Sequence, residues 1–269
     1  MKPRLNLSCL IVIGILLLIS YKIARPILLR RLTPAEREET TLRLQRANEV
    51  IKAELRQFQT VHARWAHSDD TYSFLKHHEI GNERDQYIRT HLMPAVLAQQ
   101  GVDFAIFLDS AQVSFFRRAI NRATQQESLT FSNNLIEELM TQRGIGNDFQ
   151  EKPVSALFCR PEGMYFVITS PITLSNGRTE VDTLGALIFM RRLMSEDMER
   201  IGREAKIDVK LVSMYDTGRY PEMPEVLEAM SPEKPIVVRC MDGMNITAYM
   251  RIKDISEESN YVLVGTRRR

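Results

Sequence analysis

The stretch Arg64-Trp65-Ala66-His67-Ser68-Asp69-Asp70-Thr71-Tyr72-Ser73-Phe74-Leu75 decides how the chain is read. After Pro34 no glycine or proline occurs until Gly81, so Pro34 to about His77 reads as one long helix that contains this stretch. On helical spacing Trp65, Asp69 and Tyr72 fall at i, i+4 and i+7, which would place two aromatic rings and a carboxylate on one face. Such a trio suits a cationic or amine ligand, because a ring face adds about 0.5–2 kcal/mol of cation–π attraction to the pull of the acid. The same residues also close an apolar stripe. Leu44, Ile51, Phe58, Trp65 and Tyr72 recur at steps of seven, with Ala47, Val50, Leu55 and Val61 beside them. A stripe of this kind packs on the chain's own sheet or on the same helix of a second subunit, and a helix leaving a membrane is an expected place for a homodimer contact. In the core reading, Asp69 or Asp70 bonds a backbone group or Arg191.

Upstream, Thr33 is a candidate cap, Pro34 suits a first turn, and Glu36, Glu38 and Glu39 sit near the positive end of the helix dipole. Before that lies Leu5–Tyr21, LNLSCLIVIGILLLISY, uncharged and flanked by Lys2, Arg4, Lys22 and Arg25. It is short for a span, but Lys22 can snorkel and let the apolar path continue through Ile23 and Ala24. The residues after it offer no small-x-small cleavage site, so it reads as an uncleaved membrane anchor rather than a secretory signal. Basic residues on both sides leave its orientation open. Residues 1–33 are therefore taken as anchor and flanks, and 34–269 as the folded domain.

Downstream, Asn82–Gln100 reads as a helix that Pro94 kinks or breaks. Strand patterns follow at Phe104–Leu108, Gln112–Phe116, Ser155–Cys159, Met164–Ser170 and Thr183–Met190, with a helix at Asn133–Thr141 between them. These predict an antiparallel sheet of about five strands. The remaining pattern has helices at Ser195–Ala205 and Pro224–Met230 and strands at Val209–Met214, Ile236–Cys240, Ile246–Ile252 and Tyr261–Gly265. It looks too short for a core of its own and is expected to extend the same sheet layer. The fold class is α+β: a transmembrane helix and a long helix leading into an antiparallel sheet flanked by helices.

Among 269 residues, 36 basic against 34 acidic side chains give a net charge of +2, which predicts no nucleic-acid partner. Cys9 lies in the apolar run, so at most one disulfide, Cys159–Cys240, is open to the chain, with two buried thiols as the alternative. All five histidines, His62, His67, His77, His78 and His91, fall in one window without metal-ligand spacing, and they read as solvated on an exposed face. No phosphate-binding glycine loop, GxSxG elbow or cyclic-dinucleotide motif is present, so neither an enzyme, a cofactor nor a metal is expected.

Taken together, the Trp65 to Phe74 segment resembles the WxxWDDTYxF signature of the type-4 CHASE domains, extracytoplasmic sensory domains of cyclases and histidine kinases. Tyr87-Ile88 and Leu92 resemble the family's second helix, Phe104–Asp109 its first strand, Ser170-Pro171-Ile172 its Pro-Ile turn, and Gly185–Arg191 its GxLxxxR strand. The match runs over about Val61–Met194. Ser68 stands where the family often carries a bulky residue, and the sole tryptophan is Trp65. The resemblance implies that the sheet and its helices form a PAS-like or Cache-like periplasmic or extracellular sensor at the bacterial inner membrane, with Trp65, Asp69, Asp70, Tyr72 and Arg191 as candidate ligand-binding residues for an unidentified small molecule. Family members usually continue through a second span into an output domain, so the expectation is a sensor truncated of its output or signalling through a partner protein. The alternative is an anchored periplasmic interaction or assembly protein with no small-molecule ligand.

Overall fold

The computed structural model describes residues 33–77, 81–128, 133–141, 153–160, 163–176, 185–240, 244–255 and 261–269. The apolar run Leu5–Tyr21 lies outside these residues, and among the described ones no helix is long and apolar enough to cross a membrane.

Helix α1 (Pro34–Ala66) has 33 residues, a length of about 50 Å at the usual rise. Thr33 opens it with a capping box: its hydroxyl accepts the Glu36 N–H, and the Glu36 carboxylate accepts the Thr33 N–H. Its buried line is Thr40, Leu44, Ala47, Ile51, Glu54, Phe58, His62 and Ala66, recurring every three or four residues. The step-of-seven stripe agrees as far as Phe58 and then departs. Seven residues fall about 20° short of two full turns, so a strict seven-step line drifts around a straight helix. Trp65 is consequently half-buried while His62 and Ala66 take the inner positions.

The helix does not continue to His77, which corrects the single-helix expectation. The Thr173 N–H donates to the Ala66 carbonyl at 2.9 Å, and His67 Nδ1 lies 2.6 Å from Thr173 Oγ1. Ser68 is extended, and a new helix α2 (Asp69–Lys76) starts with two acids in its first turn. Trp65 and Tyr72 thus belong to different helices, and the i, i+4, i+7 face is not formed. Helices α3 (Asn82–His91) and α4 (Pro94–Gln99) follow, separated at Pro94 as its missing N–H and fixed φ require.

The first sheet contains β1 (Phe104–Asp109), β2 (Ser114–Asn121), β3 (Gln126–Glu127), β4 (Val154–Arg160), β5 (Gly163–Pro171) and β6 (Gly185–Arg192). Their order is β3-β2-β1-β6-β5-β4, with every pairing antiparallel. Helix α5 (Asn133–Thr141) precedes β4. Alternate residues Phe107, Phe166, Ile168, Leu187 and Phe189 join the core under α1, whereas Ile106, Leu108, Val167, Ile188 and Met190 pack with Leu139 of α5. Burial on both faces explains why these strands read as unbroken apolar runs.

Helix α6 (Ser195–Ala205) leads into a second sheet of β7 (Asp208–Ser213), β8 (Ile236–Cys240), β9 (Asn245–Ile252) and β10 (Tyr261–Arg268), ordered β7-β10-β9-β8. The tail therefore does not extend the first sheet. It needs no large core of its own, because α1 covers one face of it, with Leu44 and Ala47 in the same apolar cluster as Ile246, Ala248 and Leu263. Helix α7 (Met223–Glu228) supplies the other face, where Met223 and Val226 meet Tyr249, Val262 and Val264. Gly265 sets the helix–sheet approach: a Cβ there would lie 3.0 Å from Leu44 Cδ1 and 2.8 Å from Ile207 Cδ1. Cys159 and Cys240 occupy β4 and β8, in different sheets, and both are thiols; burial pushes the Cys159 thiol up to about 12.

His62 corrects the reading of the histidines as solvated. It is 1% exposed, with Nε2 2.9 Å from the Leu187 carbonyl and Nδ1 3.2 Å from Ser170 Oγ. A neutral ring satisfies both contacts, its Nε2–H donating and its Nδ1 accepting. Burial lowers its pKa to about 4. The unfolded imidazole takes a proton below about pH 6.5, while the folded one resists until about pH 4. Its contribution is full above pH 6.5 and is lost as pH falls through that window, by about 3 kcal/mol in all. His62→Gln, which keeps a donor toward Leu187, is expected to flatten the pH 6.5–4 slope in urea-unfolding stability. An unchanged slope would place the proton uptake elsewhere.

Gly185 opens β6 at φ +157°, and a Cβ there would meet the Leu108 carbonyl oxygen at 2.0 Å. Gly185→Ala is expected to cost about 2–4 kcal/mol by the same measurement. An unaltered unfolding midpoint would mean that the β1–β6 contact relaxes freely.

Candidate functional site

Where α1 ends, its last aromatic side chain meets α3. The Trp65 ring stands edge-on to Phe189 of β6 at 5.4 Å and to His91 at 6.0 Å. Tyr87 stacks on Phe74 of α2 at 4.4 Å and lies 4.7 Å from the His91 ring. Its hydroxyl is 2.7 Å from Thr71 Oγ1, so a buried polar pair ties α2 to α3. Burial pushes the Tyr87 phenol well above its ordinary range, and it stays neutral.

These residues enclose a cavity of about 340 Å³, lined by Arg64, Trp65, Ser68, Thr71, Tyr87, His91, Val96 and Gln100. Tyr87 and His91 also border a neighbouring hollow of about 390 Å³ that contains Asp70, Ser73, His77, Glu83 and Arg84. The Asp70 carboxylate lies 3.9 Å from His91 Nε2 and is largely exposed. The pair of hollows combines aromatic edges, several hydroxyls and the open carboxylates of Asp70 and Glu83 with the guanidiniums of Arg64 and Arg84 at the walls, a set suited to a small polar molecule that carries a cationic group.

The five residues singled out from the sequence do not converge on one cavity. Trp65 lines the first hollow and Asp70 the second, with Tyr87 and His91 between them. Asp69 instead accepts the Ser175 N–H at 2.9 Å and its hydroxyl at 3.0 Å, and these bonds lower its pKa. It pins the segment after β5 to the start of α2. Tyr72 is half-buried against the main core.

Arg191, at the end of the GxLxxxR strand, works in a different place. Its guanidinium lies 3.0 Å from Asp197 of α6 and 3.5 Å from Glu54 of α1, over the Phe166 ring at 5.9 Å. Arg200 reaches Glu54 at 2.6 Å, and Arg122 joins Asp103 at 2.8 Å and Asp197 at 3.6 Å. Burial would raise Asp197, but the Met194 N–H, Arg191 and Arg122 outweigh it and hold the carboxyl low. At Asp103 burial prevails over Arg122 and raises the pKa. This balanced cluster joins α1, the first sheet and α6, and it is a mechanical link rather than part of the cavity.

In the sequence Tyr87 matches the family's second helix and His91 reads as a solvated histidine, and neither stands out there as a site residue. A tyrosine and a histidine four residues apart share one helix face, and that spacing was the available signal.

Residues 50–212 match the model of the CHASE4 domain, a sensory domain family. They cover the first sheet, α6 and most of β7, and stop before the rest of the second sheet. The methanogenesis regulatory histidine kinase FilI of Methanothrix harundinacea (strain 6Ac) is 29% identical over 154 residues, 57% of this chain. The match spans only 16% of that protein. Two solved structures share the fold at 14% identity over 86% of this chain and 94% of each of theirs. They are the extracellular domain of vpHK1S-Z8, assigned as a histidine kinase, with a TM-score of 0.56, and a domain of a protein assigned to the sensory box/GGDEF family from Vibrio parahaemolyticus, at 0.53. With a family match over most of its folded part, this chain belongs to the CHASE4 domain family.

Proposed function

We propose that the chain is the extracytoplasmic sensory part of a membrane signalling protein, held at the bacterial inner membrane by Leu5–Tyr21, with residues 34–269 on the outer side. The observation that carries this reading is the position of Trp65. It lines the cavity and is also the penultimate residue of α1, the helix that touches both sheets. A small molecule lodged between Trp65 and His91 presses on α1 directly, and its preference for one helix position is what would bias the equilibrium. The ligand class is a small amine or other cation, held by the Trp65 and Tyr87 rings and by Asp70. Asp69 and Tyr72 act as supports around it, and Arg191 holds α1 from outside the cavity. The output is a kinase, cyclase or phosphodiesterase, carried on another segment or on a partner protein.

The helix also bears on dimer formation. Its apolar line is taken up by the two sheets, so a homodimer through α1 would meet on its outer face, where Leu42, Gln45, Arg46, Glu49 and Arg56 are exposed. That face is mostly polar and fits a weak, adjustable contact better than a permanent one.

Trp65 is the only tryptophan, so its emission reports on the cavity alone. Titration of the full chain with a panel of amines, amino acids and carboxylates is expected to shift that emission and raise Tm for one cationic compound or more. Asp70→Asn should weaken that binding by about three- to fivefold, the scale of one exposed charge pair. A panel that moves neither emission nor Tm would sink the small-molecule reading and favour a domain that binds only another protein.

A further inference from the structure

The end of the molecule opposite Trp65 carries a second feature. Within the first three turns of α1, a hollow of about 580 Å³ opens between α1, the end of α6 and the end of β10. Its charged lining comprises Arg43, Arg203, Lys206, Arg267 and Arg268 against Glu199 and Asp208. Part of this charge is spoken for: Glu39 meets both Arg43 and Arg267, and Glu199 lies 4.0 Å from Arg203. Lys206 and Arg268 are exposed and meet no acidic side chain among the described residues.

Lys206 stands out for a further reason. It caps α6 in the left-handed conformation at φ 57°, where glycine or asparagine is the unstrained choice. Arg43 donates to the Lys206 carbonyl, so the negative end of α6 is covered and does not cancel the ammonium. The backbone thus holds a strained residue whose side chain projects cationic charge at the surface. Arg267, which lines the hollow, also donates to the Glu36 carbonyl in the first turn of α1, and Lys22, Arg25, Arg30 and Arg31 stand in the short stretch of sequence between the apolar run and that helix.

We propose that this basic hollow is a docking surface for the phosphate groups of anionic phospholipids, with Lys206 and Arg268 as the contacting cations. The proposal rests on the anchoring reading above, because an anchor ending at Tyr21 brings the start of α1 to the bilayer surface. Charge of this kind near a membrane attracts anionic headgroups and loses its hold as salt screens it. Seated there, the end of the domain would be held flat against the bilayer, fixing the end of α1 that lies opposite the cavity.

The test is hydrogen exchange on the full chain in nanodiscs of phosphatidylcholine, with and without phosphatidylglycerol. Segments 203–207 and 266–269 should exchange at least about threefold more slowly in the anionic discs at low salt, and equally in both at high salt. Lys206→Gly relieves the left-handed backbone, so its Tm should hold or rise while the lipid-dependent slowing shrinks; Arg268→Gln should act alike. Equal exchange in the two discs, or slowing that survives both substitutions, overturns the proposal. Slowing produced by inorganic phosphate in phosphatidylcholine discs alone would also overturn it, in favour of a free-anion site. If the chain enters neither disc, the anchoring reading fails by itself. Phosphatidylglycerol vesicles added to the soluble chain then decide the surface: slowing that needs Lys206 keeps it, and no slowing removes it.

Discussion

One helix lends the same buried line to two sheets, and the rest of the molecule follows from that. Within a single apolar cluster Leu44 and Ala47 close the second sheet and Phe58 the first, with the buried His62 ring edge-on to Phe189 beside it. Neither sheet has a complete cover on its inner face without α1. A fully buried aliphatic or aromatic side chain contributes about 1.5–3 kcal/mol, so the few residues on this line make up a large part of the margin by which a domain of this size stays folded. The salt-bridged cluster around Arg191 adds direction to this packing. Glu54 from α1 and Asp197 from α6 meet the same guanidinium, so the helix that covers the sheets and the helix that connects them are joined at one point.

Removing one partner of such a cluster strands the others, which is why partly buried ion pairs tend to act as positioning devices more than as sources of stability. Here the position fixed is that of α1 relative to β6. The strand carries Gly185, pressed against the Leu108 carbonyl, Leu187, whose carbonyl meets His62, and Arg191. Three separate constraints on α1 and its neighbours therefore converge on one strand.

Much of this was legible in the chain itself, and the failures have physical causes. The strands of the first sheet, the break at Pro94 and the cap at Thr33 follow from apolar runs, a missing N–H and a capping box, all local signals. The end of α1 at Ala66 carries no glycine or proline. It is imposed by Thr173, a residue more than a hundred positions away, although Ser68 before two acids is a helix-start pattern that the sequence does contain. The second sheet was misassigned because its core is counted short when its own residues are summed; the missing face is on a helix that precedes it by some 140 residues. The site divided likewise. Trp65 and Asp70 were found through spacing and resemblance, whereas Tyr87 and His91 needed the fold of α3 onto α2. Arg191 belongs to a cluster whose members are scattered from Glu54 to Arg200, and no local pattern brings them together.

Gly265 gives the long helix a defined seat. Leu44 rests where a side chain is missing from β10, so α1 sits closer to the second sheet there than any larger residue would permit. A translation of the helix by one turn would carry Leu44 off that notch and onto neighbouring strand positions that do carry side chains. Motion along the axis is thereby opposed by shape as well as by the ion pairs of Glu54, and tilting about the Leu44 contact is left as the softer coordinate. A disturbance at Trp65, some twenty residues farther along, would then act as force on the long arm of a lever whose fulcrum is a glycine.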